Sequence, residues 1–429
     1  MTDTLFTEDF KTTSYWWDRC PREAEAEPAL PNAVEVAVIG SGYTGLHAAL
    51  QIARGGRQVL VLDAEAAGWG CSSRNGGQIS SSVKPSYAEL SRRHGAETAR
   101  RLLEEGVDSL AFTGDFIRQE NLDCDFKVVG RFHAAHNPKA FQGLVAGLES
   151  KPDWLDAPGF IVPRSEQQAE IGSEIYHGGL VLERHAAVDP GRYHQGLLAL
   201  ARAAGVEVAA FTPVSAIQRD GQGYLLATER GRVAAKQVVL ATNGYSGPLS
   251  PWHQRRVIPI GSYMIATEPL APGVMDRLLP KNRVTSDTRR VVYYYRASPD
   301  RQRILFGGRV SAGETDPKVS GPHLHASMTR IFPELAKTRI SHSWMGFVAY
   351  TFDHLAHMGE KDGLYYAMGY CGSGVGMASY LGMRLGQKVL GKEKGETAFS
   401  SPGFQTRPLY RGKPWFLPAT VAYYRWRDG

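Results

Sequence analysis

Residues 34–63, VEVAVIGSGYTGLHAALQIARGGRQVLVLD, decide the fold. Val34, Val36, Ala37, Val38 and Ile39 make a short apolar run, rich in β-branched residues, between Asn32 and Gly40, as a buried parallel strand requires. Gly40, Gly42 and Gly45 follow with G-x-G-x-x-G spacing. The first permits a tight turn, the second lets backbone approach a pyrophosphate, and the third lets the next helix pack on the sheet. Leu46, Ala49, Leu50 and Ala53 recur at helical spacing until Gly55-Gly56, and Gln58–Leu62 supplies a second strand ending at Asp63. The turn Gly40-Ser41-Gly42-Tyr43-Thr44-Gly45 is therefore expected to face the phosphates of a dinucleotide at a helix N-terminus, with Asp63 and Ala64 beside a ribose. An aspartate there argues against a 2′-phosphate, but the unit alone does not separate NAD from FAD.

With 429 residues, 43% of them hydrophobic, the chain can bury a large core and is expected to form two intertwined domains. No run approaches the length of a membrane-spanning helix, and the acidic start MTDTLFTEDF lacks the apolar segment of a secretory signal, so a cytoplasmic protein is expected. Cys20, Cys71, Cys124 and Cys371 show no C-x-x-C spacing, and His354 and His357 lack the companion acid of a metal helix; no metal is expected. The net charge of +6 suits an anionic cofactor, and no Lys/Arg block of the kind that grips nucleic acid occurs.

Along the rest of the chain, Tyr15-Trp16-Trp17 and a polar stretch form an N-terminal arm, residues 1–33, whose aromatics are expected to dock on the body. Gly68–Gln78, GWGCSSRNGGQ, is a polar glycine loop at the carboxyl edge of the first sheet. Residues 86–150 begin as two helical stretches, Ala96–Glu105 and Leu110–Gln119, before a strand-like Phe126–His133. Asp189-Pro190 opens a helix that Gly205 stops, and Gln237–Leu240 is a buried strand running into Ala241-Thr242-Asn243-Gly244. Between 255 and 340 the strands VIPIGSYMIATEPL, RRVVYYYRAS and RILFGGRV alternate as antiparallel sheet, with Tyr263, Tyr293 and Tyr295 as candidates for an aromatic wall. Leu364–Met368 is a strand, Gly369–Gly376 a glycine loop and Met377–Val389 a helix, giving a second helix N-terminus suited to negative charge. The tail 401–429 mixes prolines, aromatics and arginines; it is expected to wrap over the protein body, with peripheral membrane contact as the competing role.

GSGYTG, the strand ending in an acid, and the loop with S-x-R-N-G-G-Q together resemble the FAD-dependent amine and amino-acid oxidoreductases of the D-amino-acid oxidase superfamily. Within it the chain looks most like the γ-glutamylputrescine oxidase branch. The resemblance implies a mixed α/β, α+β protein of glutathione-reductase-2/D-amino-acid-oxidase type. Its Rossmann-like FAD-binding domain would comprise residues 34–85, 181–254 and 341–400, and a discontinuous antiparallel-sheet substrate domain residues 86–180 and 255–340. It implies that Ser72, Ser73, Arg74, Asn75, Gly76, Gly77 and Gln78 run along the pyrophosphate and the isoalloxazine ring. It also implies that Val214 meets the adenine, that Thr242 and Asn243 lie against the FAD, and that Gly372, Ser373, Gly374 and Val375 face the pyrimidine side of the ring. An amine substrate and oxygen, a quinone or another electron acceptor are the expected partners.

For catalysis, Tyr263, Tyr295 and Arg296 are the candidates: aromatic faces attract cationic nitrogen, and Arg296 could receive a carboxylate. Relatives that oxidise α-amino acids carry G-x-R-P where this chain has Gly346-Phe347-Val348-Ala349, so Val348 replaces the carboxylate-clamping arginine. That favours an amine over an α-amino acid. The stretches Ile304–Gly307 and Phe347–Tyr350 lack the lysine and the cysteine of sarcosine-oxidase-like relatives, which implies noncovalent FAD; Cys71 is the competing tether. Three rivals are distinguishable. An L-pipecolate-type or other amino-acid oxidase needs Arg296 or another cation facing the flavin. A nicotinamide-dependent dehydrogenase has no use for the loops Gly68–Gln78 and Gly369–Gly376. A non-catalytic nucleotide-binding module would fill the space over the ring with side chains.

Overall fold

The computed structural model describes residues 5–21, 29–81, 83–309 and 315–428. Residues 1–4 of the chain start, and most of the polar stretch after the aromatic arm, lie outside these residues.

Apolar strands without polar alternation need cover on both faces, and the first sheet provides it. Ala33–Ile39 lies between Val59–Leu62 and Gly231–Leu240, all parallel, and Glu207–Ala209 extends the sheet beyond Val59–Leu62. The long strand Gly231–Leu240 pairs early with Gly223–Thr228 of an antiparallel hairpin and late, in parallel, with Leu364–Met368. Helices Tyr43–Arg54 and Gly374–Val389 pack against each other, and Gly382 and Gly386 let backbones approach, since a Cβ at either would stand under 3 Å from Thr44 or Ala48. Helix Ala96–Gln119 runs unbroken through Gly106, where two helices were expected, and buries Ala99, Leu102, Leu110 and Phe116 in the same core. It shares that core with helices Tyr43–Arg54 and Gly374–Val389. Helix Pro190–Ala203 starts where expected, because Asp189 Oδ1 accepts from the N–H groups of Gly191 and Arg192 at 3.0 and 3.1 Å.

A second, nine-stranded sheet stands across from the first. Its central strands Ile258–Thr267, Ile304–Gly308 and Tyr294–Ala297 are antiparallel, as the alternation predicts. Two further strands differ from expectation. Ile340–Tyr350, assigned by sequence to the nucleotide-binding part, pairs along ten positions with Ile258–Thr267, and the arm strand Phe6–Lys11 pairs outside it. The arm is thus an edge of this sheet. One face of the sheet is buried under helix Pro317–Ile331; the other looks back towards the carboxyl ends of the first sheet.

Candidate functional site

Strands Ala33–Ile39, Val59–Leu62 and Gly231–Leu240 all end at one edge, and a cavity of about 1550 Å³ opens there. Drug-sized ligands occupy pockets of roughly 300–1,000 Å³, so this one has room for a dinucleotide and a substrate. It is continuous from Asp63 and Val214 at one end to the inner face of the nine-stranded sheet and the C-terminal helix at the other.

The glycine turn is built as its spacing requires. Gly40 has φ +104°, and a Cβ there would lie 2.9 Å from Ala241 O; at Gly45 it would lie 1.9 Å from Gly40 O. Gly40, Gly42, Tyr43, Thr44, Asp63 and Ala64 line the cavity. Ser41 and Gly45 stand behind it. The Ser41 backbone N–H and hydroxyl both donate to Asp63 Oδ2, at 2.7 and 2.5 Å, fixing the acid at the lip.

The loop 68–78 is held from outside by three indoles. Trp17 donates to the Ser73 hydroxyl, Trp344 to the Arg74 carbonyl and Trp16 to the Asn75 carbonyl, each at 2.8 Å. Within the loop, Asn75 Oδ1 accepts from Gly77 N at 2.8 Å and Asn75 Nδ2 donates to the carbonyls of Cys71 and Ser72. Ser72, Arg74, Asn75, Gly76 and Gln78 line the cavity; Ser73 and Gly77 turn away, Gly77 with φ +62°. Ser72 Oγ accepts from Tyr43 N at 3.0 Å, tying this loop to the first glycine turn. Cys71 also lines the cavity, its thiol pushed up to about 11 by burial.

On the opposite side Val214, Thr242 and Asn243 line the cavity, and Asn243 Oδ1 accepts from Gly369 N at 2.9 Å. Gly372, Gly374 and Val375 line it at the start of helix Gly374–Val389, which begins three residues earlier than the sequence predicts; Ser373 does not line it. Two helix N-termini therefore converge on one space.

The expected catalytic trio requires correction. Tyr263 and Tyr295 are fully buried on the far face of the nine-stranded sheet: the Tyr263 hydroxyl accepts from Thr315 N at 2.8 Å and Tyr295 donates to Tyr176 at 3.1 Å. Arg296 is buried too. It donates to the carbonyls of Gly77 and Val188, both at 2.8 Å, and to Ala297, and so props the loop from behind. Along a strand, successive side chains alternate faces, so Tyr263 and Tyr295 are one residue out of phase with the cavity, whereas Arg296 shares the face of Tyr294 and is engaged by the loop. Ser262 and Tyr294, their neighbours, face the cavity with hydroxyls 2.8 Å apart. Gly307 and Gly76 make room for the Tyr294 ring, since a Cβ at either would meet it at under 3 Å.

Phe347 and Val348, at the position without a clamping arginine, do line the cavity. Other lining groups carry no signal in the sequence: Ile260 adds to the apolar surface, and Lys84, Arg131 and His133 give it charge and polarity. The tail does wrap over the body, and it forms a helix, Leu417–Asp428, in which Pro418 sits in the first turn where proline is tolerated. Leu417, Val421 and Tyr424 close one side of the cavity, and Asp428 accepts from the N–H groups of Arg290 and Val291. Among the described residues no helix is long and apolar enough to cross a membrane.

The family model for FAD dependent oxidoreductases (DAO) matches residues 35–388. The chain belongs to that family. It is 30% identical over 420 residues to a probable oxidoreductase OrdL of Rhizobium meliloti (strain 1021), covering 96% of this chain and 97% of that protein. It is likewise 30% identical to the gamma-glutamylputrescine oxidoreductase of Escherichia coli (strain K12), covering 92% of each. Glycine oxidase from Geobacillus kaustophilus shares the fold, with a TM-score of 0.72 at 20% identity over 88% of this chain and 99% of that one. The protein is therefore an FAD-dependent enzyme, and the sequence reading of a mixed α/β fold of this type is borne out. The cavity suits the cofactor: two helix N-termini aim at it, and a Cβ would meet nothing within 4 Å at Gly374 and nothing nearer than 3.8 Å at Gly372.

Proposed function

We propose that this enzyme oxidises the C–N bond of an amine, γ-glutamylputrescine-like or another primary or secondary amine, to an imine that then hydrolyses. The observation that carries the proposal is the open space between the nucleotide cradle and the inner face of the second sheet, which a nucleotide-only module would fill with side chains. The likeness to a gamma-glutamylputrescine oxidoreductase along nearly the whole chain supports the same class of substrate. FAD, held noncovalently, supplies the acceptor for the hydride that leaves the carbon beside the nitrogen.

In this proposal the turn Gly40–Gly45 holds the pyrophosphate, Asp63 and Ala64 the ribose, and Val214 the adenine. Thr242 and Asn243 lie along the cofactor, and Ser72–Gln78 and Gly372–Val375 flank the ring. The N-terminus of helix Gly374–Val389 favours negative charge where electrons arrive. Ile260, Tyr294, Phe347 and Val348 exclude water from the reacting carbon and disfavour an ammonium ion there, which keeps the amine neutral for hydride loss. The reaction then needs no acid–base residue for the transfer itself. Oxygen, a quinone or another acceptor completes the cycle.

Anaerobic titration tests the substrate class. Purified holoenzyme is mixed without air with γ-glutamylated polyamines, simple secondary amines and cyclic amino acids. Loss of the flavin's visible absorbance with members of the amine group is expected, and re-oxidation by air or by a quinone analogue identifies the acceptor. Flavin that dithionite reduces but no amine in the panel reduces would overturn the proposal.

A further inference from the structure

Among the described residues, three arginines on or beside the second sheet have their charge or several donors engaged. Arg283 pairs with Glu170 at 2.6 Å, Arg289 pairs with Asp287, and Arg296 holds three carbonyls. Arg131 does not fit that pattern. It projects from strand Arg131–Ala134 into the cavity wall, its Nε is buried without a partner, and its one hydrogen bond goes to a neutral group, Gln78 Oε1, at 3.2 Å. Lys84 stands beside it. Its ammonium approaches the glycine loop at the helix N-terminus, lying 4.0 Å from the point a Cβ on Gly372 would occupy, and the exposed side chain lines the cavity. Among the described residues neither cation forms an ion pair.

The surroundings deepen the imbalance. Burial pulls the Arg131 guanidinium down to about 10, and burial followed by Arg131 lowers Lys84. His133, hydrogen-bonded to Ser286 at 3.0 Å, is held down to about 4 first by burial and then by these two cations, so it stays neutral and adds no compensating charge. A guanidinium whose Nε is buried with no counter-charge is costly unless an anion completes the site, and the exposed Lys84 reaches the same wall from the rim.

We propose that Arg131 and Lys84 form the receptor for an anionic group, a carboxylate carried by the amine substrate itself. This rests on the amine-oxidation reading above and deepens it. The site lies on the cavity wall that Arg131 shares with His133 and Ser286, beside Gln78, and it supplies from a different strand the cation that Val348 leaves out of the G-x-R-P position. An arginine fork and a lysine point charge are complementary donors for a carboxylate. The substrate class narrows to amines that also bear a carboxylate: amino acids or acyl-linked amines that retain one.

The test compares wild-type holoenzyme with Arg131→Met, Lys84→Met and the charge-retaining Arg131→Lys. Each is titrated with benzoate and glutarate, and with benzamide and glutaramide as neutral counterparts, following the perturbation of the flavin spectrum and the thermal shift of the protein. Each Met variant is expected to weaken carboxylate binding at least 10-fold while binding of the amides is unchanged, and Arg131→Lys to restore part of the loss. Ligand-free Arg131→Met should be at least as heat-stable as wild type, because it removes a buried, uncompensated charge; an arginine serving the fold would show the opposite. Carboxylate affinity unchanged, or lost equally for the amides, overturns the proposal. So does a lowered flavin midpoint potential with carboxylate affinity intact, which would assign the pair to the reduced ring. The thermal shift is read without flavin: carboxylate protection that depends on Arg131 in colourless protein supports the anion site while the cofactor reading fails.

Discussion

The indole N–H of Trp16, a residue of the N-terminal arm, donates to the carbonyl of Asn75 in the loop Gly68–Gln78 at 2.8 Å across 59 residues of sequence. Trp16 is fully buried, so this is an internal strut and not a surface contact. Truncating a buried tryptophan to alanine costs about 3–5 kcal/mol. Trp16→Ala is expected to lose that much stability and to release FAD on gel filtration. Trp16→Phe keeps most of the packing and leaves one carbonyl unpaired, a loss of about 1–3 kcal/mol, measurable by denaturant titration.

Two glycines separate backbone necessity from ligand space. At Gly45 a Cβ would collide with Gly40 O, so Gly45→Ala should yield little folded protein. At Gly374 a Cβ meets no protein atom within 4 Å, and alanine is the better helix former by about 0.5–1 kcal/mol. Gly374→Ala should therefore melt no lower without cofactor yet bind FAD more weakly, as fluorescence titration of the apoprotein would read.

His47, fully buried on helix Tyr43–Arg54, hydrogen-bonds the Tyr193 hydroxyl at 2.9 Å, and burial pulls its pKa down to about 3. The folded state thus refuses a proton that the unfolded chain accepts near pH 6.5. The stability tied to its neutral form is present above pH 6.5 and is lost as pH falls towards about 3, at about 1 kcal/mol per pH unit. His47→Gln should flatten the acid limb of unfolding free energy against pH by that slope between pH 6 and 4.

Arg296 braces the loop through the Gly77 and Val188 carbonyls. Arg296→Met removes the side-chain donor from the buried Val188 carbonyl and one of two donors from the Gly77 carbonyl, and should cost about 1–3 kcal/mol in heat or denaturant stability. Its remaining folded fraction should bind carboxylates with wild-type affinity, which separates it from Arg131.

What the chain disclosed in advance follows from the range of the forces involved. The unit Val34–Asp63, the loop Gly68–Gln78 and the strand Leu364–Met368 with its helix are local, and their glycines have only one good structural use. The aromatic wall was harder to place. Tyr294 and Tyr295 differ by one position, and both faces of their strand are buried, one under helix Pro317–Ile331 and one against the cavity, so composition carries no mark of the phase. The three indoles that grip the loop and the arrival of Lys84 and Arg131 from separate segments are long-range, and nothing near them in sequence signals their meeting.

The central claim is that one cavity holds the ADP half of FAD at the first glycine turn and its ring under the second sheet. A crystal structure of the holoenzyme with a carboxylate-bearing amine tests it most directly. The account predicts ADP density along Gly40–Gly45 and Asp63, with the ring between Ser72–Gln78 and Gly372–Val375 and the substrate carboxylate on Arg131 and Lys84. A ring placed outside the space facing Tyr294, or a dinucleotide bound in the reverse direction, would contradict it.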